Sequence, residues 1–542
     1  MKGGSPWAVL TVALIAITLT ALRYAQPADV VSASDKIVTI DSGALEGAVT
    51  DGVVSFKGVP FAAPPVGDLR WNAPQPAPHW SGVREATAFG HDCMQLPDPA
   101  DDTPSVKSPS EDCLVLNIWR PAATASANAL PVMFWIHGGG YVNGGTSLPM
   151  YDGSAFARQG VVFVSANYRL GRFGFFAHPA LIALTEGPVG DFAYMDQIQA
   201  LRWVKDNIAA FGGDPQRVTI VGQSAGGDSV MHLVTSPEAK GLFQRAIVLS
   251  GDGRTHLLGG CKLTGGTPVA PSADQVGVNF ATSVGIMDPG VRGLEALRAL
   301  PPEKIRGDLN ISGLLNLPAS PLTYTRGPIV DGQIVVASPA QMFRRGEVEG
   351  VPLMIGTVSH DLALKFPSSL DNPLSYFGAN ADEARMAYNP HGWLDARHVL
   401  LAIAADLTMH EPARFVATQM TGAGKPVWLY RFDYVAESLR AKTPLATHSS
   451  DLPFLFQRLD ARYGTGVTAK DREMAAALTG YFVNFVKNGN PNGGSLPAWP
   501  KFDPAQADLM TFTRDNGPVV GPDPLKQRLD LVQHAVDGAR DK

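Results

Sequence analysis

At 542 residues, with 45% apolar and 17% charged side chains, the chain has the composition of an ordinary globular protein with a large buried core. Its net charge of −6 and isoelectric point near 6.1 leave no electrostatic basis for a nucleic-acid or polyanion partner. The 56 glycines and 43 prolines indicate many turns around a compact scaffold, with no repeat period and no long run of charge. Length alone suggests about three or four average domains, but single α/β units also run long.

At the N-terminus, Lys2 precedes an apolar run from Trp7 to Leu22, broken only by threonines. The run is short for a membrane span and fits the core of a signal peptide, with Val31-Ser32-Ala33 offering small residues for cleavage. Residues 1–33 are therefore expected to be a signal peptide, making the protein secreted or periplasmic. An uncleaved anchor is the alternative, because Arg23 follows the run and only one lysine precedes it. No other segment approaches the length of a membrane helix, so residues 34–542 are expected to form a single exported domain with no membrane span.

Three cysteines suit that compartment. Cys93 and Cys113 flank a polar loop containing Leu96-Pro97-Asp98-Pro99, which a disulfide would close with a gain of roughly 3 kcal/mol in the chain-entropy description. Cys261 is then left as a free thiol. No Cys/His pair has metal-ligand spacing, and neither a metal nor an organic cofactor is expected.

From Lys36 to about Gly52 the alternation of Ile37-Val38-Thr39-Ile40 and Leu45-Glu46-Gly47-Ala48-Val49 predicts an antiparallel hairpin at a sheet edge. Phe56 to Trp80 reads as a long surface loop. Glu111 to Ile118 predicts a strand with a charged entry. Pro131–Ile136 and Val161–Ala166 are continuous apolar runs, as expected of strands covered on both faces. The first leads into His137-Gly138-Gly139-Gly140-Tyr141 and the second into Asn167-Tyr168-Arg169-Leu170. Met195, Ile198, Leu201, Val204 and Ile208 recur at helical spacing.

Val218 to Val221 is a short β-branched run ending in Gly222-Gln223-Ser224-Ala225-Gly226-Gly227, and a helical pattern follows through Met231 and Leu233. Ala246–Leu249, Pro352–Gly356 and Val427–Phe432 complete the strand texture, and a helix is expected near Met474–Lys487. Residues 254–345 show no clear strands and read as helical and loop cover. Strands alternating with helices give an α/β fold class, a large and mostly parallel doubly wound sheet.

A serine between strand and helix at Gly-x-Ser-x-Gly is raised clear of the sheet, with backbone N–H groups aimed at whatever it attacks. Ser224 is thus the candidate nucleophile, in need of a base and of a carboxylate to hold the base's tautomer. The histidines after it are His232, His256, His360, His391, His398, His410, His448 and His534. His448 is favoured, since it lies on a small-residue loop just before the apolar anchor Asp451-Leu452-Pro453-Phe454. Asp361, following the strand that ends at Gly356, is the candidate acid. Asp331 is its rival, but Val330-Asp331-Gly332 reads first as a turn. The Gly138-Gly139-Gly140 run and the Ala225 N–H are candidate donors to an oxyanion.

These landmarks resemble the type-B carboxylesterase family, from about residue 36 to about 520. The resemblance is carried by Glu111-Asp112-Cys113-Leu114, His137-Gly138-Gly139-Gly140, Asn167-Tyr168-Arg169-Leu170-Gly171 and Phe211-Gly212-Gly213-Asp214-Pro215. It continues through Gly222 to Gly227, His448 before Asp451-Leu452-Pro453-Phe454, and Gly489-Asn490-Pro491-Asn492. It implies an α/β-hydrolase fold, a catalytic Ser224 and His448, an oxyanion hole from Gly139, Gly140 and Ala225, and a Cys93–Cys113 bridge. It also implies a buried Ser250 near the acid.

Three departures stand out: aspartate at 361 where the family usually has glutamate, Gln223 where glutamate is common, and no partner for Cys261. The expected function is a serine hydrolase of small or medium uncharged carboxylic esters, with the ester and water as its only partners. Lipase, thioesterase or amidase chemistry is the neighbouring alternative, and an inactive binding or adhesion protein the distant one.

Overall fold

The computed structural model describes Met1 and residues 36–97, 106–122, 129–254, 259–267, 269–314, 321–363 and 368–538. The expected signal peptide lies outside the described residues. Eleven strands form one sheet: β1 (Ala48–Thr50), β2 (Val53–Pro60), β3 (Val115–Pro121), β4 (Leu130–Ile136), β5 (Val162–Ala166), β6 (Gly213–Gln223), β7 (Arg245–Leu249), β8 (Leu353–Val358), β9 (Val427–Phe432), β10 (Asp508–Thr513) and β11 (Gly517–Pro522). Their spatial order is β1-β2-β3-β5-β4-β6-β7-β8-β9-β10-β11. From β5 through β10 neighbours run parallel, and the strands at both edges are antiparallel.

The apolar runs explain why this sheet is buried on both faces. In β4, Val132, Phe134 and Ile136 point into one core with Ile220, Val248 and Ile355. Met133 and Trp135 point into the other with Val221, Ile247, Met354 and Trp428. Helices α1 (Phe192–Asn207) and α2 (Ala225–Thr235) cover the first face. Later come α3 (Ala381–Tyr388), α4 (Ala396–Ala405), α5 (Glu411–Gly422), α6 (Ala469–Asn488) and α7 (Lys526–Gly538). Helix α6 covers the second face through Tyr481, Phe482 and Phe485. Its start is fixed by a capping box between Thr468 and Asp471 and its end by Gly489 in the left-handed conformation.

Three elements differ from the sequence expectation. Residues 53–60 are a strand of the main sheet and not loop, because a register shift between Phe56 and Val59 breaks the period-two pattern. The hairpin β10–β11 closes the far edge, and its second strand reads Gly-Pro-Val-Val-Gly-Pro, a composition tolerated only at an edge. The expected N-terminal hairpin forms at Ile37–Ile40 and Gly43–Glu46, but it pairs with Val83–Glu85 in a small separate sheet. Between 254 and 345 the described chain is mainly short helices, with two-residue strands at Cys261–Lys262 and Ile329–Val330. Among the described residues, no helix is long and apolar enough to cross a membrane.

Polar residues of the sequence landmarks hold this frame from inside. Arg169 binds Asp196 through two nitrogens, at 2.8 Å each, and Arg70 binds Glu111 at 2.5 and 2.7 Å. Both pairs are buried. Asn167 donates to the carbonyls of His91 and Cys113 and accepts from Thr146, locking the disulfide loop to the loop after β4. The Cys93–Cys113 disulfide is formed, and Cys261 is unpaired.

Candidate active site

The registers bring five strand ends together. Ile136 of β4 lies opposite Gly222 of β6, and Gln223 lies opposite Leu249 of β7. Leu249 in turn faces Gly356 of β8, and Val358 faces Phe432 of β9. In open α/β sheets, reactive groups collect at such carboxyl ends. Here the ends deliver His137, Ser224, Ser250, Asp361 and, beyond β9, His448.

Ser224 occupies the elbow between β6 and α2 with φ +59° and ψ −126°. A non-glycine residue held there stores strain of order 1–3 kcal/mol. It persists because Ser224 N–H donates to Leu249 O at 2.9 Å while Ser224 O accepts the first helical bond from Asp228 N–H. Small neighbours are obligatory: a Cβ at Gly222 would overlap the carbonyl of Gly226, and one at Gly226 would overlap that of Ile136. Ala225 opens α2, whose first-turn N–H groups have no partner within the helix.

Beside the elbow, Gly139 (φ +109°) and Gly140 (φ +60°) take conformations that side chains disfavour. Their loop is anchored at several points. Asn143 N–H donates to Gly139 O at 2.9 Å, and Gln95, near the disulfide, exchanges two hydrogen bonds with the Gly144 backbone. The Tyr141 hydroxyl meets Asp228 and Tyr194 at 2.8 Å each, tying the loop to α1 and α2. Burial lowers His137 to about 4, so its ring is neutral where it stacks on Tyr168.

Asp361 is fully buried and accepts four hydrogen bonds: His448 Nδ1 (2.6 Å) and Leu362 N (2.8 Å) on one oxygen, Ser250 Oγ (2.6 Å) and Val358 N (3.1 Å) on the other. Burial alone would raise its pKa. The charge and hydrogen bond of His448, with His410 and Ser250, outweigh burial and bring it to about 2. The acid and histidine loops are zipped together, with His360 N–H donating to Ala446 O at 2.8 Å and Ala446 N–H to Ser359 Oγ at 3.0 Å.

Because a carboxylate only accepts, Nδ1 of His448 carries the proton and Nε2 presents a lone pair. That lone pair accepts from the Gln223 side-chain amide at 3.1 Å. The His448 side chain is 19% exposed, whereas that of Asp361 is wholly buried. Asp331, the rival acid, instead closes a turn by accepting from the N–H groups of Gln333, Ile334 and Val335.

Two features of the neighbourhood were not read from sequence. Asp451 is buried three residues after His448 and is pushed up to about 7, by burial first and then by the charge of Asp361. The pair Asp406–His410 sits behind Asp361, and its i, i+4 spacing was the only sequence signal for it. Among the described residues, no cluster of three or more His, Cys, Asp or Glu side chains is placed to hold a metal ion.

Comparison with known proteins places the chain in one family. The sequence profile of the carboxylesterase family matches residues 34–393 and 387–529. The chain is 35% identical over 486 residues to para-nitrobenzyl esterase of Bacillus subtilis (strain 168), covering 86% of this chain and 92% of that protein. It is 32% identical over 490 residues to fumonisin B1 esterase of Sphingopyxis macrogoltabida, covering 87% and 85%. The solved structure titled PNB esterase superposes with a TM-score of 0.74 at 32% identity, over 92% of this chain and 100% of that one. The chain therefore belongs to the carboxylesterase family, serine-type carboxylic ester hydrolases on an α/β-hydrolase fold.

Proposed function

We propose that Ser224, His448 and Asp361 form the catalytic triad, with the N–H groups of Gly139, Gly140 and Ala225 as the oxyanion hole. The observation that carries this reading is the 2.6 Å bond from His448 Nδ1 to a buried, ionised Asp361, beside a serine on a strained elbow. Ser224 Oγ attacks the ester carbonyl as His448 Nε2 takes its proton, displacing the Gln223 amide from the lone pair. Asp361 holds the ring and stabilises the imidazolium that forms. The tetrahedral oxyanion settles between the glycine loop and the N-terminus of α2. His448 then gives its proton to the leaving alcohol, and water releases the acid from the acyl-enzyme by the same steps.

Small or medium uncharged esters are the proposed substrates. Ile311 and Leu314 lean on Gly140, giving the oxyanion loop an apolar neighbour. We also propose that residues 34–542 act as one catalytic unit, since a single sheet runs from residue 48 to 522. Residues 1–33 would direct it to a secreted or periplasmic location, with an uncleaved anchor as the alternative. N-terminal sequencing of exported protein decides between the two.

A fluorophosphonate ester tests the site. One equivalent should bind covalently on the peptide containing Ser224 and abolish hydrolysis, and the His448→Ala variant should label far more slowly. Labelling at another serine would overturn the assignment.

A further inference from the structure

Behind the acid lies a second buried histidine that the chemistry above does not use. Between α4 and α5 the helix widens into a π-helical turn, Asp406–His410. Such turns occur frequently at functional sites. His410 Nδ1 lies 2.8 Å from Asp406 Oδ1, and Nε2 lies 2.9 Å from the carbonyl oxygen of Val358, the last residue of β8. Both partners are acceptors, so both ring nitrogens must carry a proton. The ring is 3% exposed and Asp406 is wholly buried.

The connection to the triad is direct. Val358 accepts from His410 through its carbonyl and donates to Asp361 through its N–H, at 3.1 Å. The groups facing His410 are Asp406 on its own turn, Asp361 on the acid loop and, through Asp406, Tyr388 of α3 and Arg528 of α7. Tyr388 Oη and Arg528 Nε reach Asp406 Oδ2 at 2.7 and 2.8 Å. Glu411, next in the chain, is paired with Arg254. Asp406 thus meets both Arg528 and His410, and the charge of His410 also acts on Asp361.

We propose that His410 is a positioning residue of this esterase, an imidazolium held between Asp406 and the Val358 carbonyl that fixes the end of β8 and keeps Asp361 in place and ionised against His448. The proposal rests on the triad reading above. Burial alone would lower the basicity of His410, but the hydrogen bond and charge of Asp406, with the charge of Asp361, outweigh it and raise the pKa. The same interaction, seen from Asp361, is among those that hold that carboxylate down.

His410→Gln keeps a polar side chain and removes the charge, while Asp406 retains Tyr388 and Arg528. The kcat should fall about 10-fold with KM little changed, the scale of a coupling between neighbouring groups. In addition, the acid limb of kcat/KM should move to higher pH, because without the cation behind it the Asp361–His448 pair binds a proton more readily. Wild-type kinetics, or a uniform loss with the limb unmoved, would overturn the proposal. Should the variant not fold, a neutron structure of the wild type near pH 8 reads the same point: deuterium on both ring nitrogens of His410 supports it, and on one only overturns it. Ser224→Ala keeps the two readings apart, since the triad fails if that variant remains active, whatever His410 does.

Discussion

The carboxyl ends of the parallel strands and the segments that cover them are held by different means. At the strand ends, the turns after β4, β6, β7 and β8 carry the polar groups: Ser224 N–H donates to Leu249 O and Ser250 N–H to Gly356 O on neighbouring strands, and Asp361 accepts from Val358 N–H at the end of its own strand. The cover, by contrast, is made of short helices joined by glycine and proline turns, and it leaves large apolar side chains in water. Met287 is 75%, Met386 60% and Trp393 84% exposed, whereas Ser250 and Asp361 at the strand ends are buried. On the proposed mechanism the reaction is built on the strand ends, and substrate choice falls to the loops and short helices that cover them. Among the described residues the cover meets the strand ends at Ile311 and Leu314, against Gly140, and at His410, against the Val358 carbonyl.

Asp361→Asn tests the rigid side most severely. The amide would favour the wrong tautomer of His448, and kcat should fall roughly 10⁴-fold with the fold intact. A loss under tenfold would show that the carboxylate is dispensable. Asp361 itself sets no limit near neutrality. Its lowered pKa means its stabilising contribution is complete above the unfolded carboxylate value, near 4, and is lost only as pH falls towards about 2.

Next in size is the frame beneath. Arg169→Leu strands the buried carboxylate of Asp196 and should lower unfolding free energy by about 3–5 kcal/mol in urea titrations. A change below about 1 kcal/mol would mean that the strand ends do not depend on that pair.

Gln223→Glu sharpens the electrostatics. A carboxylate within reach of His448 Nε2 favours the imidazolium, and the working base must be unprotonated, so the acid limb of kcat/KM should move up by about one pH unit or less. An unmoved limb would place residue 223 outside the field of the base.

The smallest effect belongs to the cover. Trp393→Ala should change stability by no more than about 0.5 kcal/mol and leave hydrolysis of a small ester unaltered. A large loss in either would make the exposed face part of the frame.

The same division governs what could be read from sequence. Buried parallel strands announce themselves as continuous apolar runs, and an elbow demands Gly222, Gly226 and a serine between them, because geometry admits little else. The β10–β11 hairpin was hidden because edge strands tolerate glycine and proline, and the strand at 53–60 because its bulge breaks the alternation. Gln223 stands out in the sequence as a departure from glutamate, but its amide on Nε2 depends on a rotamer that no pattern reveals. His410 was one histidine among several, since its meaning comes from a carbonyl 52 residues away in the chain.

Hydrolysis of p-nitrophenyl esters of increasing acyl length by the mature protein and its Ser224→Ala variant tests the central claim most directly. Short-chain esters should be cleaved by the wild type, with kcat reduced roughly 10⁴- to 10⁶-fold in the variant at unchanged folding. Equal rates in the two proteins, or none in a folded wild type, would contradict the assignment of Ser224 as the nucleophile.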